Sequence, residues 1–203
     1  MTEKKYLDRV YDLEARGGVE DLYDAWAQSY DKELTENGYA TPARLARAMR
    51  LTGCTGPVLD IGCGTGLSGE ALRAEGFDPI DGTDLSDGML DVARAKGIYR
   101  NLWRTDPKAP LPVNPGDYSS VAAAGVVSPG AAPAGMLDVI LDILAPGGRL
   151  AFSYNDHALH DPAYTAALAR HLADGSITKI HEDHGPHLPE IGLNSTVYVI
   201  EKT

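Results

Sequence analysis

The segment GPVLDIGCGTGLSGEAL, Gly56 to Leu72, decides the fold. A short apolar run ends in Asp60 and Ile61, glycines follow at positions 62, 64 and 66, and a helical pattern then begins. A strand that passes through a glycine turn into a helix is the opening unit of a parallel α/β sheet, and ligands bind such sheets where the strands end. Glycine is required there because a tight turn needs backbone angles that a Cβ forbids, and because a ligand can then approach the main chain closely.

Outward from that segment, apolar runs alternate with helical patterns. Strands are predicted at PVLDI, PIDGTDL, NLWRTD, YSSVAAAGVV and GRLAFSYN. Helices are predicted between them at 66–75, 86–96 and 131–144, the last with Met136, Leu137, Ile140, Leu141 and Leu144 on one stripe and a stop written as APGG. A further helix starts after Asp161 as N-cap, with Pro162 first and Gly175 just past its end. Two β-like runs, SITKIHED and STVYVIEKT, close the chain, joined by HGPHLPEIGLN, which its glycines and prolines mark as a loop or hairpin excursion.

Ahead of the core, VEDLYDAWAQSYDKEL places Tyr23, Trp26 and Tyr30 on one helical face, and TPARLARAMRL opens a second helix with Thr41 as N-cap and Pro42 as first residue. The expectation is one structural domain: residues 1–50 as an N-terminal helical lid, with Gly17 and Gly18 as its hinge, and residues 51–203 as the core.

The chain has 203 residues, a formal charge of -11, a charged N-terminus without an apolar signal region and no apolar run of membrane-spanning length. The reading is of a soluble, cytoplasmic protein that does not bind membranes or nucleic acid, since both present negative charge. Cys54 and Cys63 are read as reduced thiols. His181, His184 and His187 follow no strong zinc spacing, and no metal is expected.

Strand, glycine turn and helix suit either a dinucleotide or S-adenosylmethionine (SAM). The dinucleotide fingerprint needs its third glycine at position 67, where this chain has Leu67. Asp60 would also repel a pyrophosphate, whereas it would attract the α-ammonium of SAM. Asp84, at the end of the second strand, is placed to take ribose hydroxyls of either ligand. Asp106, after the third strand, can accept from an adenine amino group, and a turn-forming role stands beside that one.

The motifs VLDIGCGTG, GTDLSDGML, Leu111-Pro112 and LAPGGRLAFS resemble, in order and spacing, those of class I SAM-dependent methyltransferases. YDAWAQSYDKEL, GIYRNLWRTD and AAAGVVSPG are most similar to the Williams–Beuren syndrome chromosome-region methyltransferase-like group. The resemblance implies an α/β fold with a Rossmann-like, seven-stranded, mostly parallel sheet, an antiparallel last strand and helices on both faces. It implies a methionine-side loop at Asp60, Gly62, Cys63, Gly64 and Gly66, a ribose acid at Asp84, adenine walls at Leu85 and Met89, an adenine-amino contact at Asp106, and a lid whose aromatic face is Trp26 and Tyr30. Two departures are visible: Ser119 stands where many relatives carry an acid, and AGVVSPG lacks the Asn/Asp-Pro-Pro-Tyr/Phe signature of enzymes that methylate nucleic-acid amines.

Methyl transfer from a sulfonium needs alignment and exclusion of water more than a dedicated base. Substrate-side candidates therefore lie at the strand ends: Ser128, Tyr154, Asn155 and His157. The expected function is methylation of a small-molecule acceptor, yielding S-adenosyl-L-homocysteine (SAH). A non-catalytic SAM- or SAH-binding regulatory protein is the alternative that the same cofactor loop would serve.

Overall fold

The computed structural model describes residues 19–107 and 109–203; the N-terminal residues, including the expected hinge at Gly17 and Gly18, lie outside it. A sheet of seven strands runs in the order β3-β2-β1-β4-β5-β7-β6. The strands are β1 (Val58–Ile61), β2 (Ile80–Asp84), β3 (Leu102–Arg104), β4 (Ser120–Ala123), β5 (Arg149–Asn155), β6 (Ile177–Leu188) and β7 (Leu193–Lys202). β1 to β5 are parallel, while β7 runs antiparallel to both β5 and β6, as expected for the last strand. Chain order reverses between β1 and β4, the point in such sheets where a crevice opens.

The helices are α1 (Val19–Glu36), α2 (Thr41–Leu51), α3 (Leu67–Ala74), α4 (Asp87–Lys96), α5 (Met136–Ile143), α6 (Asp156–His160) and α7 (Pro162–Ala173). Strand alternation sorts the core onto two faces. Leu59, Val121, Leu150 and Phe152 meet Leu137, Ile140 and Leu141 of α5 and Tyr164 and Leu168 of α7. Val58, Ile80, Ala122, Ala151 and Val199 meet Leu45 and Met49 of α2 and Leu72 of α3. Helix α2 is thus part of the core, whereas α1 belongs to a separate cluster with Met89 of α4 and Leu188 of β6.

Several sequence expectations are corrected. Helix α5 starts at Met136 rather than 131, because the backbone of Ala131 and Ala132 is bonded instead to Ser128 and Val126 in the loop after β4, and Pro133 has no N–H to give. Strand β4 ends at Ala123, since Gly125 turns the chain out of the sheet with φ 72°. The supposed loop HGPHLPEIGLN is mostly strand: β6 continues through Gly185 and Pro186 to Leu188, and only Pro189–Ile191 forms a short 3-10 turn before β7. A proline is tolerated there because β6 is an edge strand whose outer side has no ladder to complete, and a register shift falls between Pro186 and Leu188. Thr41 is the first residue of α2 rather than its N-cap, and its hydroxyl is engaged with His187 and Ser195. Asp161 caps α7 as expected, accepting from the Ala163 N–H. Cys54 and Cys63 are both free and buried.

Candidate cofactor and acceptor site

The site grows from the β1 turn. Gly62, Gly64 and Gly66 have φ of 63°, 53° and 94°, left-handed values that favour glycine. At Gly62 a Cβ would also lie 2.5 Å from Val126 Cγ2, so the β4 loop closes against this turn only because no side chain intervenes. From the end of β2, Asp84 binds the turn to the next element: its Oδ2 accepts from the Gly64 N–H at 2.9 Å and its Oδ1 from the Ser86 N–H at 3.0 Å. Burial raises its carboxyl above the usual range, against the pull of those backbone donors.

Asp60 lies beneath the turn, fully buried. Its Oδ2 accepts from Ser68 Oγ at 2.6 Å and from the Tyr99 hydroxyl at 2.7 Å, while Oδ1 has no partner among the described residues. Burial pushes its pKa up to about 7, with the neighbouring Asp84 charge acting in the same direction and the two hydroxyls opposing it. Tyr99 reaches Asp60 through a notch where Cβ atoms at Gly69 and Gly82 would come within 2.4 and 2.8 Å of its ring and hydroxyl. Tyr99 was not singled out in the sequence; the available signal was a glycine inside a helix and another inside a strand, positions where glycine is otherwise unfavourable.

Helix α1 lies across this region. Asp24 accepts from the Ser86 hydroxyl and from the Gly88 N–H at the start of α4. Asp31 accepts from the Thr65 hydroxyl in the turn and pairs with Lys96 at 2.8 Å. Glu20 pairs with Arg104, the last residue of β3. The apolar face between these anchors buries Trp26 and Ala27 with Met89, and Tyr23, Tyr30 and Leu67 pack against the same cluster. Trp26 and Tyr30 meet edge to face with ring centroids 4.6 Å apart.

Past the aromatic face is a half-open cavity of about 40 Å³. One wall is Tyr23, Trp26, Tyr30 and Tyr39; the other carries Ser128, Asn155 and His187. Of the substrate-side candidates, Ser128 and Asn155 line this cavity, Asn155 also capping α6 by accepting from the Ala158 N–H. Tyr154 does not: alternation along β5 turns it to the opposite face, where it is fully buried against Phe152, Tyr164 and Tyr198. His157 is exposed on α6 and does not line the cavity. Asp106 is exposed after β3, its carbonyl accepting from the Ala109 N–H, and Leu85 is half-buried, its carbonyl accepting from Arg104 Nε.

His187 entered the sequence reading only as one of three spaced histidines. The structure separates them: His184 bonds Thr196 on β7, whereas His187 turns inward and is 6% exposed. Burial lowers its pKa to about 4 against the opposing charge of Asp156, with Arg44 and His157 acting in the same direction as burial, so its imidazole is neutral near pH 7. Only the extension of β6 past Gly185 brings it there, which periodicity could not show.

Residues 58–148, from the first residue of β1 to the turn before β5, match the methyltransferase domain family. Over that stretch the chain is similar to methyltransferases. Methyltransferase-like protein 27 of Homo sapiens is 36% identical over 148 residues, which cover 67% of this chain and 60% of that protein. Ubiquinone biosynthesis O-methyltransferase of Shewanella pealeana is 30% identical over 119 residues, covering 57% and 50%. The chain therefore spans about half to six-tenths of these relatives' length. Among solved structures, a Haloferax volcanii putative methyltransferase, in complex with the Trm112 activator, superposes with TM-score 0.67 at 22% identity, covering 92% of this chain and 99% of that one. A SAM-dependent methyltransferase of Thermotoga maritima, described as a possible histamine N-methyltransferase, superposes with TM-score 0.64 at 14% identity over 92% and 100%. At these identities the structures speak for the fold.

Proposed function

We propose that this chain transfers a methyl group from SAM to a small-molecule acceptor, and that among methyltransferases it stands with the Williams–Beuren chromosome-region group. The observation that carries the reading is the pair of acids at the switch point. Asp84 clamps Gly64, and Asp60 keeps one carboxylate oxygen unpaired beneath the same turn. An orphaned buried oxygen is costly, and a ligand with a cationic ammonium offsets that cost where a pyrophosphate would increase it.

Asp60, Gly62, Cys63, Gly64 and Gly66 would hold the methionine end, Asp84 the ribose, and Leu85, Met89 and Asp106 the adenine, with Trp26 and Tyr30 covering them. When bound, SAM would supply an electrophilic methyl, its sulfur keeping the electron pair of the S–CH3 bond, and a neutral X–H acceptor would release its proton to solvent as the X–CH3 bond formed. The chain's own part is to orient the acceptor and keep water out, which the apolar face of α1 serves. The cavity supports a small acceptor, since among the described residues its lining carries no Lys or Arg of the kind that would grip a nucleic-acid backbone. The human relative's similarity and the sequence stretches around Trp26, Tyr99 and Ser128 support the narrower placement.

The test is transfer of label from methyl-labelled SAM into a metabolite extract, with calorimetry of SAM, SAH and NAD alongside. Label in a small molecule supports the reading. Tight SAH binding with no labelled product from any extract would favour a regulatory binding protein, and tighter binding of NAD would overturn the cofactor assignment.

A further inference from the structure

A carboxylate already sits at the glycine turn, and it belongs to α1. Asp31 Oδ1 accepts from the hydroxyl of Thr65, inside the turn, and Asp31 Oδ2 pairs with Lys96 Nζ of α4 at 2.8 Å. The two groups that hold it are set from below. Thr65 is 1% exposed. The Lys96 side chain is 17% exposed, against 36% for Asp31, and its ammonium also pairs with Glu70 of α3 at 2.9 Å. An ammonium can only donate and the hydroxyl beside it donates too, so the two together form a seat for a carboxylate. That seat adjoins Asp60. A Cβ on Gly66 would lie 3.5 Å from Lys96 Cδ and 3.3 Å from Tyr99 Cε2, and the Tyr99 hydroxyl donates to Asp60. The stem of Lys96 and the ring that supports Asp60 therefore pass the same glycine.

We propose that Thr65 and Lys96 bind the α-carboxylate of the cofactor, and that Asp31 of α1 is an internal competitor for the same seat, displaced when the cofactor binds. The inference rests on the methyl-transfer reading. An α-amino acid carries its ammonium and its carboxylate on one carbon, so the groups that hold them must lie side by side, as Asp60 and the Thr65–Lys96 pair do about Gly66. The exchange also conserves charge: one carboxylate replaces another beside Lys96 and Glu70, and the largely buried ammonium loses no counter-charge. Asp31, the more exposed partner, turns to water at little cost. The other anchors of α1, Asp24 on Ser86 and Gly88 and Glu20 on Arg104, take no part in the exchange, so the helix can settle again over the ligand once Asp31 has left.

The test is calorimetry on the whole chain with two probes: SAH, and S-adenosyl-3-thiopropylamine, which is SAH without its carboxylate. The readout is the ratio of their dissociation constants. Asp31→Ala removes the competitor and should tighten SAH about three- to fivefold, the worth of a partly exposed ion pair, while the amine changes by less than about twofold. Lys96→Met should weaken SAH about tenfold, as loss of a charge-assisted hydrogen bond would, without weakening the amine. If Lys96→Met fails to fold, Thr65→Val removes the other donor at nearly constant volume and should weaken SAH about fivefold with the amine again unaffected. A ratio that neither Lys96→Met nor Thr65→Val moves, or an Asp31→Ala chain that binds SAH more weakly or shifts both probes alike, overturns the inference and leaves Asp31 as a strap for α1. SAH binding by the wild type keeps the methyl-transfer reading standing in those cases. If the wild type binds neither probe, that reading falls and the inference falls with it.

Discussion

Tyr99 donates its hydroxyl proton to Asp60 Oδ2 across 2.7 Å and so supports, under the glycine turn, a buried carboxyl whose pKa is about 7. The contact exists because Gly69 and Gly82 leave a notch for the ring. Asp60 is thereby poised near neutrality between a form the empty fold prefers and a charged form that an ammonium ligand would prefer.

The pH dependence of stability follows from that pair. Asp60 has a raised folded pKa, so the native state binds more protons than the unfolded one between the ordinary value of 3.8 and about 7, and this group's stabilisation is lost as pH rises through that window. Asn at this position does not titrate. The stability difference, Asp60→Asn minus wild type, should therefore grow by about 3 kcal/mol between pH 5 and pH 8. Urea melts at both pH values measure the slope; a difference that stays flat or falls means that Asp60 is ionised throughout.

His187 titrates with the opposite sign. Its folded pKa of about 4 lies below the usual 6.5, so the unfolded chain binds more protons between those values and stability falls as pH drops through them. The contribution is on the order of 3 kcal/mol. His187→Gln should flatten the acid limb of the stability curve below pH 6, and an unchanged limb would mean that other groups account for it.

Gly69→Ala replaces a helical glycine with the best helix former, which alone would stabilise by about 1 kcal/mol. Here the new Cβ would lie 2.4 Å from the Tyr99 hydroxyl and must displace a ring seated in a packed notch. A net loss of about 1–3 kcal/mol is expected, and a gain in the denaturation midpoint would show that Tyr99 moves freely.

Asp84→Ala removes the acceptor of two backbone N–H groups as well as the proposed ribose contact. We expect SAM binding to weaken by about 2 kcal/mol, together with a loss of stability of about 1–3 kcal/mol. Calorimetry on the folded fraction separates the two, and unchanged affinity there would confine Asp84 to a structural role.

Helix α1 should exchange its amide hydrogens more slowly with SAH bound. It lies across the glycine turn, tied to Thr65, Ser86, Gly88 and Lys96 by Asp31 and Asp24, so these contacts must part for a ligand to enter beneath it. Equal, strong protection with and without SAH would make Trp26 and Tyr30 permanent core.

Much of this was legible in local order. The glycine turn, the acids at 60 and 84 and the strand and helix alternation follow from short-range rules, because backbone angles, caps and apolar periods act within a few residues, whereas the antiparallel last strand was implied only by the family resemblance. Tertiary structure alone decided which side chains meet. Tyr154 and Asn155 are neighbours in sequence, yet the pleat of β5 sends one to the core and the other to the cavity. Thr41, which reads as a helix cap, turns to His187, 146 residues away, because two buried polar groups must satisfy one another. Tyr99 found Asp60 only through two glycines on different elements. Pro186 sits within strand because edge position, a property of the assembled sheet, removes the need for its N–H.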